Sequence, residues 1–203
     1  MTEVGVLALQ GDYALHQKML ERIGRSSRQV RKAKELEGLS ALVIPGGEST
    51  TMLKFIEEEG LMEPLQKLHA DGAALYGTCA GAILLATEVT SPSQASLGLM
   101  DVSIERNAYG RQLDSHMAQE PCPELGPKPL PMVFIRAPII RSTGPSVRVL
   151  ARHRGEAVLI REGRILASTF HPELSEDERV HRYFLDVVAS ESRARTVKAA
   201  SRM

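Results

Sequence analysis

Residues 73–86 read Ala73-Ala74-Leu75-Tyr76-Gly77-Thr78-Cys79-Ala80-Gly81-Ala82-Ile83-Leu84-Leu85-Ala86. Two short apolar runs flank a Gly-x-Cys-x-Gly turn. The first run, Ala73 to Tyr76, has the length of a buried strand; the second, from Ala82, reads as the start of a helix. A reactive residue between glycines at a strand-to-helix turn is the nucleophile-elbow pattern, here with cysteine as the exposed group. The glycines have a steric purpose, because the elbow is strained and neighbours without a Cβ let strand and helix approach closely. A helix N-terminus favours a thiolate, and the N–H of Ala80 would face the oxygen of an attacked carbonyl. A buried, inert cysteine would fit the pentapeptide too, so the rest of the chain has to decide.

Outward from this turn, the pattern is that of a parallel sheet. Val4-Gly5-Val6-Leu7-Ala8-Leu9 and Ala41-Leu42-Val43-Ile44 are apolar without alternation, as in strands covered by helices on both faces. Tyr13 to Ile23 places Leu15, Met19, Leu20 and Ile23 at helical spacing, and Gly24 stops it. Ser27 to Val30 is a short strand candidate. Met62 to Asp71 reads as helix. Pro45-Gly46-Gly47-Glu48-Ser49-Thr50 follows the strand 41–44, at the sheet edge where ligands bind in open α/β folds. Ser49 or Thr50 is expected to cap a helix over 51–58. The N–H of Gly47 would complete an oxyanion hole with that of Ala80.

The second half is more broken. Leu99–Val102 and Ser103–Glu105 suggest irregular strand structure, and Met132–Ile135 a further strand. Residues 121–131 hold five prolines and suggest an exposed connection, a poor setting for Cys122 as a second nucleophile. Segments 147–151, 157–160 and 165–170 suggest three strands of an antiparallel extension. Glu178 to Val188 reads as a closing helix, and 191–203 as a mobile tail after a single domain over 1–190.

His171-Pro172-Glu173 supplies a base and its acid. Proline pushes its predecessor towards extended backbone, where side chains two apart share a side. Glu173 would hold one ring nitrogen of His171, leaving the other to take the Cys79 proton. His16, His69, His116, His153 and His181 lack this setting and are expected to be surface or helix residues. Arg106 offers a bidentate partner for a carboxylate.

Composition excludes little but consistently. Lys+Arg and Asp+Glu both total 25, so the chain has no net charge. That argues against a general nucleic-acid or membrane surface. The first residues carry an acid where a secretory signal would be basic, and no apolar run is long enough for a bilayer. Two cysteines make neither a disulfide framework nor a metal cluster. A cytoplasmic location, with no metal and no cofactor, is the expectation.

Together these motifs resemble the class I (triad) glutamine amidotransferases, and within them the branch that serves pyridoxal 5′-phosphate (vitamin B6) synthesis. The elbow and His-Pro-Glu are shared across the triad enzymes. Leu9-Gln10-Gly11-Asp12, Gly46-Gly47-Glu48-Ser49-Thr50, Arg106-Asn107-Ala108-Tyr109-Gly110-Arg111 and Phe134-Ile135-Arg136-Ala137-Pro138 point to the B6 branch. The resemblance implies a flavodoxin-like three-layer α/β fold with a mostly parallel sheet. It implies a triad of Cys79, His171 and Glu173 and an oxyanion hole at Gly47 and Ala80. It implies L-glutamine contacts from Gly47, Glu48, Ser49, Arg106, Ile135 and Arg136. It also implies a partner, the pyridoxal 5′-phosphate synthase subunit that consumes the ammonia, with Gln10 a candidate link to it. One departure stands out: Asp114-Ser115-His116-Met117 sits where the family commonly has Asp-Ser-Phe-Glu. Two other readings share parts of the pattern. An amidotransferase for another synthase would share the chemistry, and a non-catalytic sensor thiol would leave His171 and Glu173 without a purpose.

Overall fold

The computed structural model describes residues 3–107 and 115–190. The first half alternates strand and helix: β1 (Val4–Leu7), α1 (Tyr13–Arg22), β2 (Ser27–Val30), β3 (Ala41–Ile44), α2 (Ser49–Glu58), α3 (Met62–Ala70), β4 (Ala74–Thr78) and α4 (Ala80–Leu85). The second half is mainly strand: β5 (Ala86–Thr90), β6 (Met100–Glu105), β7 (His116–Glu120), β8 (Leu130–Phe134), β9 (Ile139–Thr143), β10 (Arg148–His153), β11 (Glu156–Glu162) and β12 (Ile165–Ser168). It closes with α5 (Arg179–Tyr183), which passes into a wider π-helical turn over Phe184–Val188.

The main sheet runs β2-β1-β3-β4-β12-β11-β9-β6-β5, with β10 added on β11. The first five strands are mutually parallel. Beyond them β11 is antiparallel to both β12 and β9, and β6 to β9. β7 and β8 form a separate antiparallel pair.

Unbroken apolar strands arise here because each strand residue has a core to enter. Leu42 and Ile44 face one apolar cluster, together with Met52 and Ile56 of α2, Leu65 of α3 and Leu84 of α4. Ala41 and Val43 face the other, with Leu20 of α1, Val180 of α5 and Phe184. Period-two alternation therefore sorts the strand into two cores rather than into core and solvent. This is the three-layer α/β arrangement expected from the sequence. Among the described residues no helix is long and apolar enough to cross a membrane.

Several local expectations are corrected. The irregular strand structure expected over 99–105 is one strand, Met100–Glu105, with register shifts against both β5 and β9. Residues 165–168 are not part of an outlying extension: β12 lies in the parallel sheet directly beside β4, with Leu75 opposite Ile165 and Thr78 opposite Ser168. The helix after the elbow ends at Leu85 and the chain continues as β5. Cys122 is not exposed; it packs among Leu130, Met132 and Val180, and burial pushes its thiol pKa up. The expected tail from residue 191 lies outside the described residues, as do Ala108 to Arg111 and Asp114.

Candidate active site

The site lies where β3, β4 and β12 end together. Cys79 leaves β4 with φ 47° and ψ −102°, a left-handed conformation that costs a residue with a Cβ on the order of 1–3 kcal/mol. Its N–H donates to the Ser168 carbonyl of β12 at 2.8 Å, which pins the turn across the sheet. Both flanking glycines are required. A Cβ on Gly77 would come within 2.6 Å of the Gly81 carbonyl carbon and of Leu85 Cδ1. One on Gly81 would come within 2.9 Å of the Ile44 carbonyl carbon. The N–H of Ala80 opens α4 and so has no acceptor within it.

His171 and Glu173 follow β12. Pro172 begins a single 3-10 turn over Pro172–Leu174, so the two side chains meet around a turn and not along an extended strand. His171 Nδ1 and Glu173 Oε1 are 2.7 Å apart. The His171 N–H is anchored on the Val133 carbonyl of β8 at 2.8 Å. Burial opposes a charge on His171, but its hydrogen bonds to Cys79 and Glu173 outweigh this and raise its pKa to about 10. Burial also opposes the Glu173 carboxylate; the nearby His16 and His171 more than offset it, and hold the pKa well below the usual carboxylate range. An imidazole this basic beside Cys79 is suited to act as the base toward it. Asp12 Oδ2 stands 3.9 Å from His171 Nδ1. Asp12, His171 and Glu173 bring ligand-type atoms within 4.8 Å of one another, but Nδ1 of His171 is already engaged by Glu173.

Two glycine-rich loops interlock above this pair. A Cβ on Gly11 would run into the Gly46 carbonyl group, whose oxygen accepts the Asp12 N–H at 3.2 Å. Gly47 has φ 151°, and a Cβ there would lie 3.0 Å from Gly11 Cα. Gln10 Oε1 accepts the N–H of Glu48 at 3.0 Å, so Gln10 holds the Gly46-Gly47 loop in place. Glu48, rather than Ser49 or Thr50, caps α2: its carboxylate accepts the N–H groups of Thr50 at 3.3 Å and Thr51 at 2.7 Å. Burial works against its charge, but these bonds and the Thr50 hydroxyl prevail and lower its pKa to about 2. The Ser49 hydroxyl is committed to Gln94 Oε1 at 3.1 Å.

These elements enclose a cavity of about 290 Å³. Cys79 and His171 lie in its wall, together with Gln10, Gly47, Glu48 and Ser49. Arg106, Ile135 and Arg136 line it as well, with Ile83 and with Asp12, Asn107 and Pro138, which belong to the quoted motifs but were given no role there. Glu173 and Ala80 are not in the lining; Glu173 stands behind His171. Arg106 is 7% exposed, its Nη1 makes no hydrogen bond among the described residues, and its Nη2 is 3.6 Å from Glu48 Oε1. A buried guanidinium with an unused N–H, on a residue that lines a cavity, is suited to a ligand carboxylate. At the departure from the family pattern, His116 stacks on Phe134 at 4.9 Å and meets His153 Nε2 at 3.0 Å, while His153 Nδ1 pairs with Glu120. His116 thus occupies an aromatic's place by packing as one.

Comparison with known proteins bears on the family and the fold. The model of the SNO glutamine amidotransferase family matches residues 6–190. A pyridoxal 5′-phosphate synthase subunit PdxT of Pelotomaculum thermopropionicum is 55% identical over 184 residues, covering 91% of this chain and 94% of its own. The subunit of that name from Deinococcus radiodurans is 51% identical, covering 90% and 95%. Among solved structures, one described as a glutamine amidotransferase superposes with a TM-score of 0.87 at 50% identity, over 92% of this chain and 98% of the other. A putative GMP synthase subunit from Thermoplasma acidophilum, 18% identical with a TM-score of 0.68, shares the fold. The chain belongs to the SNO glutamine amidotransferase family.

Proposed function

We propose that the protein is the glutaminase subunit of a pyridoxal 5′-phosphate synthase. It hydrolyses L-glutamine to glutamate and hands the ammonia to a synthase subunit. The observation that carries this reading is the cavity: its lining brings together Cys79 at a strained turn, His171 held by the buried Glu173, and Arg106, whose Nη1 is unpartnered among the described residues. The half-identical relatives that bear the subunit's name support the choice of partner.

Glutamine enters with its side-chain amide over Cys79 and its α-carboxylate on Arg106. Glu48, Ser49, Ile135 and Arg136 shape the space around the amino acid. The Cys79 thiolate attacks the amide carbon, and the oxygen takes the charge against the N–H groups of Gly47 and Ala80. One such donor is typically worth about 3 kcal/mol. His171 gives its proton to the leaving nitrogen, ammonia departs, and a glutamyl thioester remains. Water, deprotonated by the now neutral His171, releases glutamate. Glu173 stabilises the imidazolium that forms at both stages. No cofactor takes part. Ammonia loses its nucleophilicity once protonated, so a sheltered route to the partner is expected, and Gln10 at the cavity wall is placed to report docking to the Gly46-Gly47 loop. A cytoplasmic setting fits a reactive thiol that must stay reduced.

The test is ammonia release from glutamine by the purified chain, alone and mixed with a pyridoxal 5′-phosphate synthase subunit. Strong stimulation, with pyridoxal phosphate formed when sugar phosphates are supplied, is the expected result. Cys79→Ala should abolish release while leaving the circular dichroism spectrum unchanged. Turnover by that variant would remove the mechanism; turnover indifferent to the synthase would reassign the partner.

A further inference from the structure

Glu173 is a buried carboxylate with only half of its oxygens accounted for. Oε1 takes His171 Nδ1, but Oε2 makes no well-aligned hydrogen bond among the described residues. An unsatisfied oxygen in a dry interior is costly and invites a proton, which would end its use to His171. The nearest donor is Nε2 of His16, 3.4 Å away. His16 comes from α1, is not part of the cavity lining and is completely buried. The same Nε2 lies 3.2 Å from Oγ1 of Thr78, the residue before the nucleophile. Its Nδ1 lies 2.9 Å from Nε2 of His181 on α5, also completely buried.

Satisfying the donors sets the direction of this chain. Among the described residues His181 has no partner for Nδ1. If Nδ1 carried the proton, an N–H would be orphaned in the core; a bare lone pair there costs less. His181 Nε2–H therefore donates to His16 Nδ1. That leaves the proton of His16 on Nε2, facing Thr78 and Glu173. Every N–H then points toward the triad: His181 to His16, His16 to Glu173, His171 to Glu173.

We propose that His16 is a positioning residue of the active site, a fourth member behind the triad, which fixes Glu173 through its second oxygen and ties it to the nucleophile turn through Thr78. It touches neither substrate nor the reacting atoms. The inference rests on the triad reading above. It concerns how the acid is held, so its signature lies in turnover and not in glutamine binding.

Two near-isosteric variants separate this role from mere core packing. Glutamine can place its amide N–H where His16 Nε2 stands; asparagine reaches only the Nδ1 position and leaves Oε2 without a donor. With the synthase subunit present, H16N is expected to lower kcat about 10- to 100-fold, the range seen when groups supporting first-contact residues are lost, with KM for glutamine within about twofold. The acid limb of its kcat–pH profile should move upward by roughly half a unit or more, because Glu173 then takes a proton more readily. The other titratable groups facing this carboxylate are His171, His181 and Tyr76, with Asp12 beside His171, and all are unchanged in the variant. H16Q should recover most of kcat and the wild-type limb. Equal kcat for H16N, H16Q and wild type, a loss confined to KM, or an equal loss in both with an unmoved limb would each overturn the proposal. Cys79→Ala keeps the two readings apart: an active C79A sinks the triad, whereas an inactive C79A beside a wild-type-like H16N sinks only the role of His16. Ring 15N shifts of the wild-type protein test the same point without a variant, with a protonated Nε2 expected on His16 and a bare Nδ1 on His181. A bare Nε2 on His16 would refute it.

Discussion

Replacing Gly46 by alanine adds one methyl group directly against the catalytic base. Gly46 does not have a positive φ, so alanine brings no backbone strain of that kind and the effect is one of space. Its Cβ would lie 2.9 Å from His171 Nδ1, closer still to Cε1, and 3.4 Å from Cys79 Cβ. Ordinary contact begins near 3.4 Å, so the ring has to retreat by about half an ångström at Nδ1 and by about 1 Å at Cε1. It cannot do so freely, because the same ring is bonded to Glu173 at 2.7 Å and its backbone N–H is held on Val133. A shift of about 1 Å in a catalytic group costs roughly 100-fold in rate, or about 2.7 kcal/mol of transition-state stabilisation. Overpacking would cost about 1–3 kcal/mol of stability as well. The assay is steady-state ammonia release with the synthase subunit present, read as kcat and KM separately, beside urea unfolding. The expected result is a 100-fold fall in kcat with KM for glutamine little changed. Gly24→Ala is the control, since its Cβ meets nothing within 4 Å and it lies at a remote turn with φ 74°; it should lose some stability and no activity. A Gly46→Ala enzyme whose kcat stays within threefold of wild type would refute the assigned position of His171 over Cys79.

Further expectations concern binding and pH. Arg106→Ala removes the charge assigned to the α-carboxylate; a charge-assisted pair worth about 1.5–3 kcal/mol predicts a rise in KM of roughly 10- to 150-fold with a much smaller change in kcat, and unchanged glutamine affinity would rule the assignment out. Burial, with His16 beside it, depresses the His181 pKa to about 3, so below pH 6.5 the unfolded chain takes this proton first. Stability should therefore fall as pH drops from 6.5 towards 3, by up to about 1.4 kcal/mol per unit from this residue, and His181→Phe should flatten the slope in urea midpoints taken between pH 6.5 and 5. Glu173, whose pKa is lowered in the folded state, adds to the acid loss only below about pH 4.5. His171 works in the opposite direction: raised to about 10, its contribution is complete below pH 6.5 and lost as pH climbs through 10, so an alkaline decline that persists undiminished in His171→Ala would contradict the pairing with Cys79 and Glu173.

What the chain's order of residues determined by itself is local. Gly77-Thr78-Cys79-Ala80-Gly81 between two apolar runs specifies an elbow, because only glycines leave room for Gly81 against Ile44. Unbroken apolar strands specify burial on both faces, and hence a parallel sheet between helices. His171 and Glu173 are two apart, so their meeting needs no long-range information, although the turn that brings them together is 3-10 and not extended. The family motifs carried the cavity-lining residues the same way. Tertiary structure decided everything that depends on which distant segments become neighbours. That β12 lies beside β4, and so sets His171 against Cys79, is a pairing across about ninety residues that no local pattern encodes. That Glu48 caps α2, and not the better-placed Ser49, follows from Gln94 claiming the serine hydroxyl. His16 and His181 look like ordinary polar positions on amphipathic helices; both are wholly buried because α1 and α5 press against the same face of the sheet, where Glu173 needs a donor. Cys122 sits in a proline-rich run that reads as exposed, yet the apolar cluster beneath α5 closes over it. Burial and partnership are properties of the assembled core, and a residue's chemistry is settled only once the core has chosen its neighbours.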